Sequence, residues 1–182
     1  MLSETMKKKL TNQFNVRDLD NDGYVGREDW EQCAKNLAEI RRWKPESPEY
    51  EDIVSKHIRI WTAFWEPADL DCDGKVGLDE YLELADEQRQ RGSFATDVVL
   101  QLFGAIFDII DRDGDGQITL QDYKLYFKAW GLSSSLAKQA FARLDLSGDG
   151  RLSRSIFIQF GSNFYLSDDP NMPGNWLFGP YE

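Results

Sequence analysis

Asp69-Leu70-Asp71-Cys72-Asp73-Gly74-Lys75-Val76-Gly77-Leu78-Asp79-Glu80 decides the fold. Carboxylates stand at positions 1, 3, 5 and 12 of this stretch, glycine at position 6 and an apolar residue at position 8. Alternating positions let three short carboxylates converge from one side of a loop, and glycine allows a turn that a side chain resists. The register recurs from Asp18-Leu19-Asp20-Asn21-Asp22-Gly23, from Asp111-Arg112-Asp113-Gly114-Asp115-Gly116 and from Asp145-Leu146-Ser147-Gly148-Asp149-Gly150. Self-similarity of this kind marks a repeated supersecondary unit.

Segments with helical apolar spacing flank each loop. Leu10 and Phe14 enter the first, Val54, Ile58, Trp61 and Trp65 the second, Val99, Phe103, Ile106 and Ile110 the third, and Leu136, Ala140, Phe141 and Leu144 the fourth. Breaks fall at Lys44-Pro45-Glu46-Ser47-Pro48, at Arg91-Gly92-Ser93 and at Gly131-Leu132-Ser133-Ser134-Ser135. The expected fold is all-α: four helix-loop-helix units in two pairs, packed into one compact globule. Residues 1–90 would hold the first pair, with loops 18–29 and 69–80. Residues 94–182 would hold loops 111–122 and 145–156 and an irregular apolar tail over 167–182. Val25, Val76, Ile118 and Leu152, all at position 8, are placed to pair across partner loops in short β-bridges.

This is the pattern of the EF-hand calcium loop, whose ligands come from positions 1, 3, 5, 7, 9 and 12. The first loop offers Asp18, Asp20, Asp22, the carbonyl of Tyr24 and Asp29. The second offers Asp69, Asp71, Asp73, the carbonyl of Lys75 and Glu80, whose longer arm brings both oxygens to the ion. The third offers Asp111, Asp113, Asp115, the carbonyl of Gln117, Thr119 and Asp122. Aspartate at position 12 shortens the last ligand in loops one and three, which favours magnesium as a competitor there. The fourth loop has Ser147 at position 3 and Ile156 at position 12, so a structural role beside loop three is expected of it. Three calcium sites with magnesium competing are therefore predicted.

Composition excludes other classes. Hydrophobic residues make up 41% of the 182, too many for a disordered chain. Asp and Glu outnumber Lys and Arg by 32 to 21, a net charge of −11, so nucleic acid is not an expected partner. Three divalent ions would bring −11 to −5. Lys7, Lys8 and Lys9 are read as the solvated face of a first helix. Met1-Leu2-Ser3-Glu4-Thr5-Met6 shows no apolar core for secretion and no glycine at position 2, and no apolar run reaches spanning length. A monomer in the cytoplasm, without membrane contact and with Cys33 and Cys72 as free thiols, is expected.

With its four hands, Asp29 and Asp122 at position 12, a degenerate hand and the tail Gly161-Ser162-Asn163-Phe164-Tyr165 leading to Trp176-Leu177-Phe178-Gly179-Pro180, the chain resembles the sarcoplasmic calcium-binding proteins. Calerythrin is among the relatives implied, and the coelenterazine photoproteins more distantly. The resemblance implies two hand pairs packed face to face and a calcium and magnesium buffer. The alternatives are a sensor that engages a protein target and a coelenterazine-type ligand binder. A sensor groove is rich in methionine, whereas only Met1, Met6 and Met172 occur here, none placed on a predicted hand helix. The photoprotein pattern needs histidines among tryptophans and tyrosines. This chain has His57 alone, for which a structural or surface role is expected, and Phe160 and Phe164 stand on the last helix. No nucleophile with a neighbouring base appears, so no catalysis is expected.

Overall fold

The structure is a computed structural model describing residues 1–90 and 97–181, with the backbone alone for Asp97. The break expected at Arg91-Gly92-Ser93 and residue Glu182 lie outside the described residues. Among the described residues there are eight α-helices and four short strands, one strand within each helix pair. Helix α1 (Glu4–Arg17) leads through a loop into β1 (Tyr24–Gly26) and α2 (Arg27–Ile40). Helix α3 (Pro48–Ile60) leads toward β2 (Lys75–Gly77) and α4 (Leu78–Gln90). The second half repeats the plan with α5 (Asp97–Ile110), β3 (Gln117–Thr119), α6 (Leu120–Ala129), α7 (Ser134–Leu144), β4 (Arg151–Ser153) and α8 (Arg154–Leu166).

The strands pair as the position-8 residues dictate. In antiparallel register Val25 faces Val76 and Ile118 faces Leu152, and all four are buried. Each bridge ties two loops into one unit. A single hydrophobic core runs through both halves, from Met6 and Leu10 on α1 to Phe157 and Phe164 on α8. Helices α2 and α6 pack across the halves, and α5 packs on α8. Gly161 permits that last contact: a Cβ there would lie 2.2 Å from the ring of Phe103.

Helix α1 corrects two readings. Lys9 does not share the solvated face of Lys7 and Lys8 but is fully buried. Its Nζ donates to the carbonyls of Ser167 (2.6 Å) and Asn163 (3.4 Å) and to Asn175 Oδ1 (3.0 Å). The ammonium thus caps the end of α8, binding the C-cap carbonyl of Ser167 and sharing that of Asn163 with the Ser167 amide, where the dipole favours a cation. Burial, helped by Arg89, pulls its pKa down to about 8 against the opposing effect of Asp168. Met6 also lies on this hand helix, at 0% exposure, rather than outside the hands.

The approach to the second loop departs from a regular helix. Trp61–Trp65 form a wide π turn and Glu66–Ala68 a 3-10 turn, with Pro67 unable to donate a helical hydrogen bond. The extra residue rotates the buried face. Ile53, His57 and Ile60 fill the core, while Val54 and Ile58 are half-buried at its edge.

His57 is structural. Its Nδ1 bonds the Ile53 carbonyl at 2.8 Å, Nε2 lies 3.6 Å from Cys33 Sγ, and the ring sits 6.3 Å from that of Trp30. Burial is the main reason its pKa falls to about 4. The unfolded chain takes up this proton below about pH 6.5, the folded chain only near 4, so stability is present above the upper value and lost as pH falls through the window. Relative to His57→Gln, the wild type is expected to lose about 2–3 kcal/mol between those limits, read from urea unfolding at fixed ion concentration. Parallel pH profiles for the two proteins would rule out the assignment.

The tail folds back over the core. A 3-10 turn at Pro173–Trp176 packs on α7 and α8, and Gly174 sits so close to the Phe160 carbonyl that a Cβ would lie 2.3 Å from it. Asn12 Nδ2 donates to the Phe178 carbonyl (3.1 Å) and Tyr123 Oη to that of Leu177 (2.5 Å). The tail therefore ties α1 to α6.

Candidate metal centres

Each of three loops gathers the carboxylates its sequence set in alternation. Oxygens of Asp18, Asp20 and Asp22 lie within 4.8 Å of one another, as do those of Asp69, Asp71 and Asp73 and those of Asp111, Asp113 and Asp115. No fourth cluster of three such side chains occurs among the described residues.

Backbone amides shape each loop around its first aspartate. Asp18 accepts from Asp22 N (3.0 Å) and Gly23 N (2.9 Å), and Asp69 from Asp73 N (3.1 Å) and Gly74 N (2.9 Å). In the third loop Asp111 accepts from Gly114 N and Gly116 N, both at 3.0 Å. Position-6 glycines Gly23, Gly74 and Gly116 have φ of 90°, 90° and 80°, the left-handed region that side chains avoid. Position 4 is left-handed too, at Asn21, Cys72 and Gly114. Asn and Gly tolerate that conformation, whereas Cys72 carries a cost of about 1 kcal/mol there. Sequence reading missed this position, although Asn21, Gly114 and Gly148 would have revealed it.

Position 12 lies in the first turn of each exiting helix, outside the clusters. Glu80 spans its loop: Oε1 accepts from Leu70 N (3.0 Å) and Oε2 from Gly77 N (2.7 Å). Asp29, though shorter, spans the same two positions, accepting from Leu19 N (3.0 Å) and Gly26 N (2.7 Å). It is only 7% exposed, and burial raises its pKa, with Asp20 and Asp18 adding to the rise and the two amides opposing it. Asp122 stays nearer the helix, with Oδ2 accepting from Thr119 N (3.1 Å) and Thr119 Oγ1 (2.5 Å). The two position-12 aspartates, equal in the sequence, thus differ in reach.

Loop 145–156 keeps the shape with part of the ligand set, Asp145 and Asp149, but no carboxylate at positions 3 and 12. Asp145 accepts from Gly148 N and Gly150 N, both at 2.9 Å, and its strand β4 pairs with β3. Ile156 is 41% exposed and brings no oxygen. Tyr24, Lys75 and Gln117 stand at position 7 at the start of their strands, where only a carbonyl is asked of them. Lys75 Nζ also reaches across to Asp22 Oδ2 at 2.5 Å, and that contact lowers the pKa of the aspartate.

These donor sets fit a hard cation: clustered carboxylates, a turn open only to glycine and no nitrogen or sulfur ligand in the clusters. A family model described as EF hand matches residues 11–34, 103–128 and 136–155. Mitrocomin from Mitrocoma cellularia is 28% identical, over 91% of this chain and 84% of that protein. The sarcoplasmic calcium-binding protein of Perinereis vancaurica tetradentata is 26% identical over 98% and 99%. Calerythrin from Saccharopolyspora erythraea is 22% identical over 91% and 95%. Two solved structures share the fold. The coelenterazine-binding protein of Renilla muelleri superposes with a TM-score of 0.78 (23% identity, 98% and 99% covered). The amphioxus sarcoplasmic calcium-binding protein gives 0.76 (19% identity, all of both chains). The chain is a calcium-binding EF-hand protein with three candidate ion loops. Within that class it is related to the sarcoplasmic calcium-binding proteins and calerythrin, and also to the photoproteins.

Proposed function

We propose that the protein is a cytoplasmic calcium buffer that acts through binding alone, with magnesium as the competing ion. Its ligands are Asp18, Asp20, Asp22, the Tyr24 carbonyl and Asp29; Asp69, Asp71, Asp73, the Lys75 carbonyl and Glu80; and Asp111, Asp113, Asp115, the Gln117 carbonyl and Asp122. Asp122, with its shorter reach, makes loop 111–122 the best magnesium site, because a single carboxylate oxygen suits six-fold geometry.

One observation carries the buffer reading. The apolar faces of the two halves are already closed on each other around Arg17, which is 0% exposed. Its guanidinium carbon lies 4.2 Å from the Trp130 ring, 5.0 Å from Trp30, 5.7 Å from Tyr126 and 5.0 Å from Phe178 of the tail. A sensor exposes an apolar groove when it binds calcium, and these faces are filled from within. The photoprotein alternative needs a ligand cavity. The Tyr81 and Tyr165 hydroxyls both bond Gln13 Oε1, at 2.7 and 2.9 Å, and the pocket beside them holds about 70 Å³. Sites for ligands of that size usually hold about 300 Å³ or more.

One feature favours a target protein instead. Leu146, 72% exposed, and Ile156 border a groove of about 550 Å³ with Met172 and Pro173. Titrating calcium in the presence of an environment-sensitive apolar dye separates the two readings. A buffer is expected to leave the dye signal flat or lower it, and a calcium-dependent rise would favour the sensor. No helix among the described residues is long and apolar enough to cross a membrane.

A further inference from the structure

Position 7 of an ion loop lends the cation only its carbonyl, which leaves its side chain free for other work. Loops 18–29 and 111–122 carry neutral residues there, Tyr24 and Gln117. Loops 69–80 and 145–156 carry cations, Lys75 and Arg151. The strand register sets Lys75 opposite Gly26 and Arg151 opposite Thr119, so each cation faces the neighbouring loop. Lys75 Nζ lies 2.5 Å from Asp22 Oδ2, and Arg151 Nη1 lies 4.0 Å from Asp115 Oδ2. Asp22 and Asp115 are the position-5 carboxylates of their loops. The same cross-loop contact therefore occurs in both halves, between different residues. The carboxylates that act on Lys75 are Asp22, Asp20 and Glu28, all of the first loop and the helix that leaves it.

We propose that Lys75 and Arg151 are built-in counter-cations that set the divalent-ion affinity of the neighbouring loop, holding 18–29 and 111–122 below the affinity their own ligands would give. This rests on the reading of Asp22 and Asp115 as ligands. Before an ion arrives, the ammonium offsets the mutual repulsion of the clustered carboxylates. A divalent cation entering loop 18–29 must share Asp22 with Lys75 and meets a like charge close by. That repulsion, attenuated by solvent, corresponds to about a threefold to tenfold loss in affinity. The even-numbered loops gain no such neighbour, because position 7 of their partners is neutral. The effect at loop 111–122 is the weaker one, since 4.0 Å replaces 2.5 Å.

The test is a calcium titration of the full chain and of Lys75→Met and Lys75→Arg, followed by NMR at the amides of Gly23 and Gly74. Each amide donates to the first aspartate of its own loop and so reports that loop alone. Lys75 and Asp22 form an exposed pair, so their loss changes folding stability little. Lys75→Met is expected to raise affinity at Gly23 about threefold to tenfold, with a smaller change at Gly74, while Lys75→Arg stays near wild type. The gain should shrink at high salt. Equal gains at both glycines would reveal a general charge effect and overturn the proposal, as would no gain at Gly23. A Gly23 amide that does not respond to calcium in the wild type would refute the ligand reading itself and the proposal with it.

Discussion

Replacing Glu80 with glutamine is expected to weaken calcium binding in loop 69–80 by about a hundredfold, a step of the size that ligand charge and rigidity produce among EF-hand sites. The carboxylate acts twice. Its two oxygens accept from Leu70 N and Gly77 N, which closes the loop between its second and ninth positions. The same oxygens are the only pair at position 12 carried on the longer glutamate arm, and bidentate reach is what calcium's coordination demands beyond magnesium's. Glutamine keeps one acceptor and sets an NH2 group against an N–H, so closure and coordination both suffer. Titration calorimetry should then find two tight sites instead of three. An unchanged stoichiometry in Glu80→Gln would remove Glu80 from the ligand set.

The second large effect lies away from the loops. Arg17 ends α1, immediately before Asp18, and sits among rings from both halves and the tail. Only its Nη2 has a hydrogen-bond partner, Tyr126 Oη at 3.1 Å; Nε and Nη1 have none among the described residues. Desolvating the guanidinium costs several kcal/mol, and four ring faces at about 0.5–2 kcal/mol each roughly offset that. The volume of the side chain therefore decides its worth. Arg17→Ala should cost about 3–5 kcal/mol, a fall in melting temperature on the order of 10 °C, because it opens a void among the rings. Arg17→Met, which fills the space without a charge, should stay within about 1 kcal/mol of wild type. Equal losses in the two variants would show that the charge, not the volume, holds the halves together.

Much of this architecture was legible in the sequence because ion loops leave little freedom. Glycine at position 6, the apolar residue at position 8 and the alternating aspartates are each tied to one backbone geometry, and the observed register and clusters follow them. What escaped was burial of charge. Met6, Leu10, Phe14 and Gln13 form a stripe on α1 at helical spacing, and Lys9 and Arg17 continue it. Periodicity marks those positions as inward, but residue type argued the other way. Only tertiary partners resolve the conflict: the carbonyls ending α8 for Lys9 and the aromatic rings for Arg17. The π turn at Trp61–Trp65 escaped for a similar reason, since a helix with one extra residue per turn shifts its buried face without changing composition. The unequal reach of Asp29 and Asp122 lies in their partners, Leu19 N and Gly26 N for the one and the amide and hydroxyl of Thr119 for the other, which the identity of the aspartate alone does not encode.

The most direct test of the buffer account is a calorimetric calcium titration of the whole chain, run without magnesium and again with magnesium at millimolar concentration. The account predicts three calcium ions bound, none in loop 145–156, and an affinity visibly lowered by magnesium, most of all in loop 111–122. Calcium binding that ignores magnesium, or a stoichiometry other than three, would contradict it.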